Sequence, residues 1–243
     1  MSETQARMEL ACAYRLFAAF GWHELIYNHI TLRVPGTHEH FLINPFGLMY
    51  EEVCASNLVK VDLEGNIIGE SAYGINPAGF IVHSAVHRAR RDVGCVMHMH
   101  STAGLAVACQ SEGLLPISFP SAFYMDRIAY HDFEGITLRL EERERLAANL
   151  GSKNVMILRN HGLLTCGAGV ADAFHEMYNL QRACEAQIAA MSGGMATLIK
   201  PDPAVMREAA NDFDRTARHG TQNALLFAAM MRWMDRLDDS YRQ

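Results

Sequence analysis

The segment CVMHMHSTAG, residues 95 to 104, sets His98 and His100 one residue apart at the end of an apolar run. Side chains alternate faces along a strand, so the two imidazoles share one face and Met99 takes the other. That geometry suits two ligands of one metal ion, although an isolated pair of this kind is better read as polar residues on a half-exposed strand end. A second apolar run, VMILRNHGLL at 155 to 164, delivers His161 at the exit of another strand. If the two strands are neighbours in the sheet, three imidazoles converge and leave an open coordination position, as a catalytic metal centre requires.

Other chemistries find weaker support. His83 and His87 lie four apart on a predicted helix and share a face, but no glutamate follows the first as in a zinc protease, and helix packing or capping is the better reading. His38 and His40 flank a turn acid and read as exposed, while His175 and His219 have no partner pattern. TCGAGVADAF carries GxG between a strand and a helix. Yet Asp172 occupies the third glycine position, and the acid expected about 20 residues on would be Glu185 within the same helix, which argues against a dinucleotide site. No GxSxG occurs. The six cysteines, Cys12, Cys54, Cys95, Cys109, Cys166 and Cys184, form no CxxC and read as small buried hydrophobes in a reducing compartment.

The elements that must position these residues can be read from periodicity. Leu10, Tyr14, Phe17 and Ala18 recur at helical spacing over 5 to 20, with Gly21 as the stop. HITLRV at 29 to 34 and HFLI at 40 to 43 predict paired strands across a Pro-Gly turn, and DLEGN at 62 to 66 a further hairpin. A helix is predicted from Ala78 to Arg91, a strand over 94 to 98, helices over 102 to 110, 142 to 151 and 170 to 192, and a strand over 155 to 158. SGGMATLIKPDP supplies a linker over 193 to 203 to C-terminal helices over 204 to 238, broken near Gly220. Hairpin strands interleaved with helices predict an α/β fold in layers with antiparallel strands prominent.

Bulk properties narrow the class. A chain of 243 residues fits a single domain, 1 to 243. The net charge of -6 and the absence of a dense Lys/Arg cluster argue against nucleic acid; HRARRD at 87 to 92 reads as the solvated end of a helix. The polar, acidic N-terminus lacks the pattern of a signal peptide and no window is apolar enough to span a bilayer, so the expected location is the cytoplasm, away from membranes.

With the three histidines placed, the chain resembles the class II aldolase/adducin family. RARRDVGCVMHMHSTAG and ILRNHGLLTCGAGVADAFHEMYNLQRACE look like its two metal-site segments. YNHITLRVPG, HFLINPFGL, NLVKVDLEGN and AYHDFEG continue the match in family order over roughly residues 8 to 192. The resemblance implies a three-layer α/β/α sandwich with a mainly antiparallel central sheet. It also implies one divalent metal per chain on His98, His100 and His161, with zinc favoured over manganese or iron(II), and a homotetramer with sites between subunits. A small-molecule substrate would touch Asn28, Asn44, Gly79 and Tyr241, and Tyr130 or His131 would act as the acid/base. Family aldolases carry a Ser-Ser-Glu-like segment where Pro77, Ala78 and Gly79 stand here, so a base and two phosphate-holding hydroxyls are missing. The expectation is therefore a metal-dependent carbon–carbon lyase, of decarboxylase or retro-aldol type, acting on a non-phosphorylated aromatic or keto acid. The alternatives are a non-haem iron(II) oxygenase on the same three histidines, or a non-catalytic adducin-like interaction protein. The want of a long basic tail favours an enzyme.

Overall fold

The computed structural model describes residues 1–135, 141–217 and 221–243. The chain opens with α1 (Glu3–Ala19), capped by the Ser2 hydroxyl, which accepts the Gln5 N–H, and closed by Gly21 at φ +69°. β1 (His29–Arg33), β2 (His40–Ile43) and β3 (Val59–Asp62) form an antiparallel meander. α2 (Pro77–Ala89), β4 (Cys95–Met99) and α3 (Thr102–Ala108) follow, then a short α4 (Phe119–Ala122) and β5 (Ile128–His131). α5 (Glu142–Leu150) leads into the hairpin of β6 (Val155–Leu158) and β7 (Gly162–Gly167). The long α6 (Val170–Met191), α7 (Pro203–Ala217) and α8 (Thr221–Leu237) complete the described chain. Gly220 and His219 lie outside the described residues.

The strands form one seven-stranded sheet in the order β3-β2-β1-β4-β7-β6-β5, antiparallel except for the parallel pair β5 and β6. Here the sequence expectation needs correction. β4 and β6 are not neighbours, because β7 lies between them and pairs with both. His161 sits in the tight β6–β7 turn, not on a strand adjacent to β4. The turn is made by Asn160 at φ +56°, a left-handed conformation that asparagine tolerates better than most residues.

Both faces of the sheet are buried. Along β4, Cys95, Met97 and Met99 join a core with α1, α6 and α8, through residues such as Phe17, Phe174, Met177 and Phe227. Val96, with Met156, Leu158 and Leu164 of the neighbouring strands, packs instead on Val82, Val86, Leu146 and Leu150 of α2 and α5. Alternation therefore places His98 on the α2 side. The cysteines are all free, and four are buried as expected, but Cys109 is exposed and Cys54 only half-buried. No described helix is long and apolar enough to cross a membrane.

Candidate metal centre

His98, on β4, is fully buried, whereas His100, just past the strand, and His161 in the turn are half-buried. One ring nitrogen from each meets at a single point, all within 4.8 Å of one another. Hydrogen bonds fix which nitrogen faces inward. His98 Nδ1–H donates to the Leu163 carbonyl at 2.9 Å, and His100 Nδ1–H donates to a Glu24 carboxylate oxygen. Both Nε2 atoms therefore present lone pairs, 2.8 Å apart. With Nδ1 engaged on both rings, these two Nε2 atoms and a ring nitrogen of His161 make an all-imidazole donor set that fits a metal. Carbonyl and carboxylate partners on the far nitrogen are also what metal-ligating histidines use to hold tautomer and orientation.

Close approach is secured by Gly162. A Cβ there would fall 2.5 Å from the Met99 carbonyl oxygen and 3.0 Å from the His100 ring, so only glycine lets the β6–β7 turn lie against the end of β4. Burial holds the His98 imidazole well below the usual histidine range and pushes His161 down to about 4, so these two are neutral ligands at pH 7. The histidines line a cavity of about 310 Å³ together with Glu24, Tyr27, His29, Asn76, Gly79, Val82, Phe133 and Gly135. Among the described residues no Lys or Arg reaches it; Glu24 is its one carboxylate.

Of the residues the sequence singles out beyond the three histidines, only Gly79 lines this cavity. Asn28 is buried with its amide donating to the Trp22 carbonyl, and the Asn44 amide oxygen accepts from Tyr14 Oη at 3.0 Å. The Tyr130 hydroxyl accepts the Leu114 N–H, and the Arg159 guanidinium covers its ring at 4.2 Å. His131 is buried against α5, accepting at Nδ1 from the Asn149 amide, so its Nε2–H faces Glu142 and Glu134 at 3.5 and 3.8 Å. Tyr241 is fully buried and donates to Asp235 at 2.6 Å. Within one chain none of these five lines the cavity. His83 and His87 pack inside the fold: the Thr31 hydroxyl sits between them, 2.8 Å from His83 Nδ1 and from His87 Nε2. Sequence reasoning misses Glu24 and His29. Glu24 lies in the irregular segment between α1 and β1, and His29 stands beside Asn28 in YNHITLRV, one step from the residue chosen there.

With fold and site in hand, comparison with known proteins assigns the family. The chain belongs to the Class II Aldolase and Adducin N-terminal domain family, which matches residues 8–188. The class II aldolases of this superfamily are metal-dependent lyases. The crystal structure of an aldolase II superfamily protein from Pseudomonas syringae is 48% identical, with a TM-score of 0.94 covering 100% of this chain and 96% of that one. An L-fuculose 1-phosphate aldolase from Glaciozyma antarctica is 28% identical, with a TM-score of 0.85 over 99% of this chain and 93% of its own. Alpha-adducin from Rattus norvegicus is 45% identical over an alignment of 247 positions that covers 97% of this chain but only 34% of the adducin.

Proposed function

We propose that the chain is a cytoplasmic, divalent-metal-dependent lyase that breaks a carbon–carbon bond beside a carbonyl or carboxylate of a small, non-phosphorylated aromatic or keto acid. The observation that carries this reading is the convergence of three imidazole nitrogens, two with their outer N–H already committed, on the wall of a cavity that no Lys or Arg lines among the described residues. His98, His100 and His161 would hold the ion, zinc by preference, with manganese or iron(II) as alternatives. Such an ion supplies Lewis-acid stabilisation of the negative charge that develops on a substrate oxygen as the bond breaks.

The chain's own groups orient the substrate and exclude water. Tyr27, Val82 and Phe133 give the cavity apolar walls suited to a planar substituent. A phosphate dianion would find no clustered cation there among the described residues, which argues against the sugar phosphate named for the Glaciozyma enzyme. Decarboxylation needs no base to begin, so glycine at position 79 harms it less than it would harm aldol cleavage. Neither Tyr130 nor His131 lines its own chain's cavity, so the proton that must then reach carbon is assigned to solvent or to a neighbouring subunit. Leu25, Tyr27 and Phe133 are more than half exposed, and the latter two stand at the cavity itself. This favours a homotetramer with sites closed by an adjacent copy. Packing of α2 and α5 on one face of the sheet and α1, α6 and α8 on the other supports the α/β/α reading.

Elemental analysis of protein purified without added metal or chelator tests the proposal. Near one zinc or manganese per chain is expected, and iron would move the oxygenase ahead. The likeness to alpha-adducin favours one second reading, a non-catalytic interaction protein. It becomes the better account if no ion binds after anaerobic reconstitution. His98→Ala is expected to lose metal and activity while keeping its far-ultraviolet circular dichroism; a fully metallated, active variant would overturn the ligand assignment.

A further inference from the structure

One imidazole on the cavity wall has an unmet nitrogen and no part in the metal centre. His29 faces His98 in register across β1 and β4 and is 5% exposed. Its Nδ1 lies 3.1 Å from the Tyr27 carbonyl, which can only accept, so Nδ1 carries the hydrogen and Nε2 the lone pair. Among the described residues that Nε2 is buried without a partner, even though the His83 ring is only 4.5 Å away between centroids. Across from it stands the bare backbone of Gly79, where a Cβ would fall 2.5 Å from Nε2 and 2.6 Å from both adjoining ring carbons. The glycine and the imidazole thus share one volume: any side chain at 79 would take the space the ring now occupies.

We propose that His29 is the specificity-determining hydrogen-bond acceptor of this site, selecting ligands that carry a hydroxyl on the Gly79 side of the cavity. A hydroxyl can donate to Nε2, whereas an ether oxygen, carboxylate or phosphate there would set lone pair against lone pair. A site built to hydrogen-bond a hydroxyl rejects the analogue that lacks its hydrogen, because the buried acceptor is then left unpaired. The apolar walls at Val82 and Phe133 leave room for an aromatic substituent beside that hydroxyl. The inference rests on the metal-centred site proposed above and adds the hydroxyl requirement and the residue that enforces it.

The test uses zinc-loaded protein and two probes, mandelate and its O-methyl ether, with dissociation constants from calorimetry. Wild type is expected to bind mandelate at least about tenfold more tightly than the ether, a difference of about 1.4 kcal/mol. His29→Phe should keep one zinc per chain and bind both probes alike. Gly79→Ala, whose Cβ must displace the imidazole, should also lose the preference, and His29→Gln, whose amide oxygen can accept, should restore part of it. Nitrogen-15 spectra should show the His29 Nε2 resonance shifting with mandelate and not with the ether. Equal affinities in wild type, a preference that survives in His29→Phe, or zinc-loaded protein that binds neither probe would overturn the assignment of His29 alone. Protein that takes up no zinc would overturn the reading beneath it as well.

Discussion

Glu24, which also lines the cavity, acts on the metal centre through His100. Its carboxylate takes the Nδ1–H, which fixes the ring and raises the basicity of Nε2. Glu24→Gln keeps an acceptor but removes the charge, and metal affinity is expected to fall about 10-fold, the low end of the usual 10- to 100-fold because the glutamate side chain is half exposed. Competition with a chromophoric chelator would measure it; unchanged affinity would remove Glu24 from the site. The contrast between these residues shows what the sequence could carry. His98 and His100 are legible because strand alternation is local and alone puts both rings on one face. Glu24 and His29 are not, because their relevance depends on where an irregular segment and a neighbouring strand bring them, and YNHITLRV by itself gives no reason to prefer His29 over Asn28.

At the level of elements, the β6–β7 turn delivers the third ligand. Asn160 holds a left-handed conformation, its N–H bonded to the Ala108 carbonyl at 3.1 Å, and His161 follows directly. Asn160→Gly is expected to be nearly silent. Asn160→Val, β-branched in that conformation, should cost about 1–2 kcal/mol and loosen metal binding. Thermal melts and metal titration of the two variants separate backbone strain from any role of the amide. The apolar run on both sides of this turn explains why β7 is hard to foresee. VMIL and GLLTCG flank RNH without the Asn-Gly or Asp-Gly pair that marks a hairpin, so the pattern reads as one strand ending at the histidine. β1, β2, β4 and β6, each bounded by turn residues or clear alternation, are legible to within a residue or two.

Across the whole molecule, the α2 face of the sheet carries an unusual load of buried imidazole. Burial pushes His29 down to about 4 and His87 to about 3, against about 6.5 for the unfolded chain. Both folded-state values lie below the unfolded one, so the unfolded state binds more protons between these limits and stability rises with pH. It is complete above about pH 7 and is lost as pH falls from about 6.5 toward 4, by up to about 1.4 kcal/mol per pH unit for each such ring. Urea unfolding of metal-free protein at pH 7, 6 and 5 should show this slope, and a flat profile would mean that these rings are not buried neutral. The family and the α/β class are legible because several motifs recur in order, whereas the layout of the sheet is not, since strand order is a property of distant pairings. That topology also bears on how the centre comes into being. β1 meets β4, and β4 meets β7, across dozens of intervening residues. Such large loops must close before the pairing rewards them. During synthesis the three-histidine set is incomplete until the β6–β7 turn has left the ribosome and docked on the end of β4. His98 and His100 come together early on one strand, whereas the full site waits for the most distant pairing of the sheet.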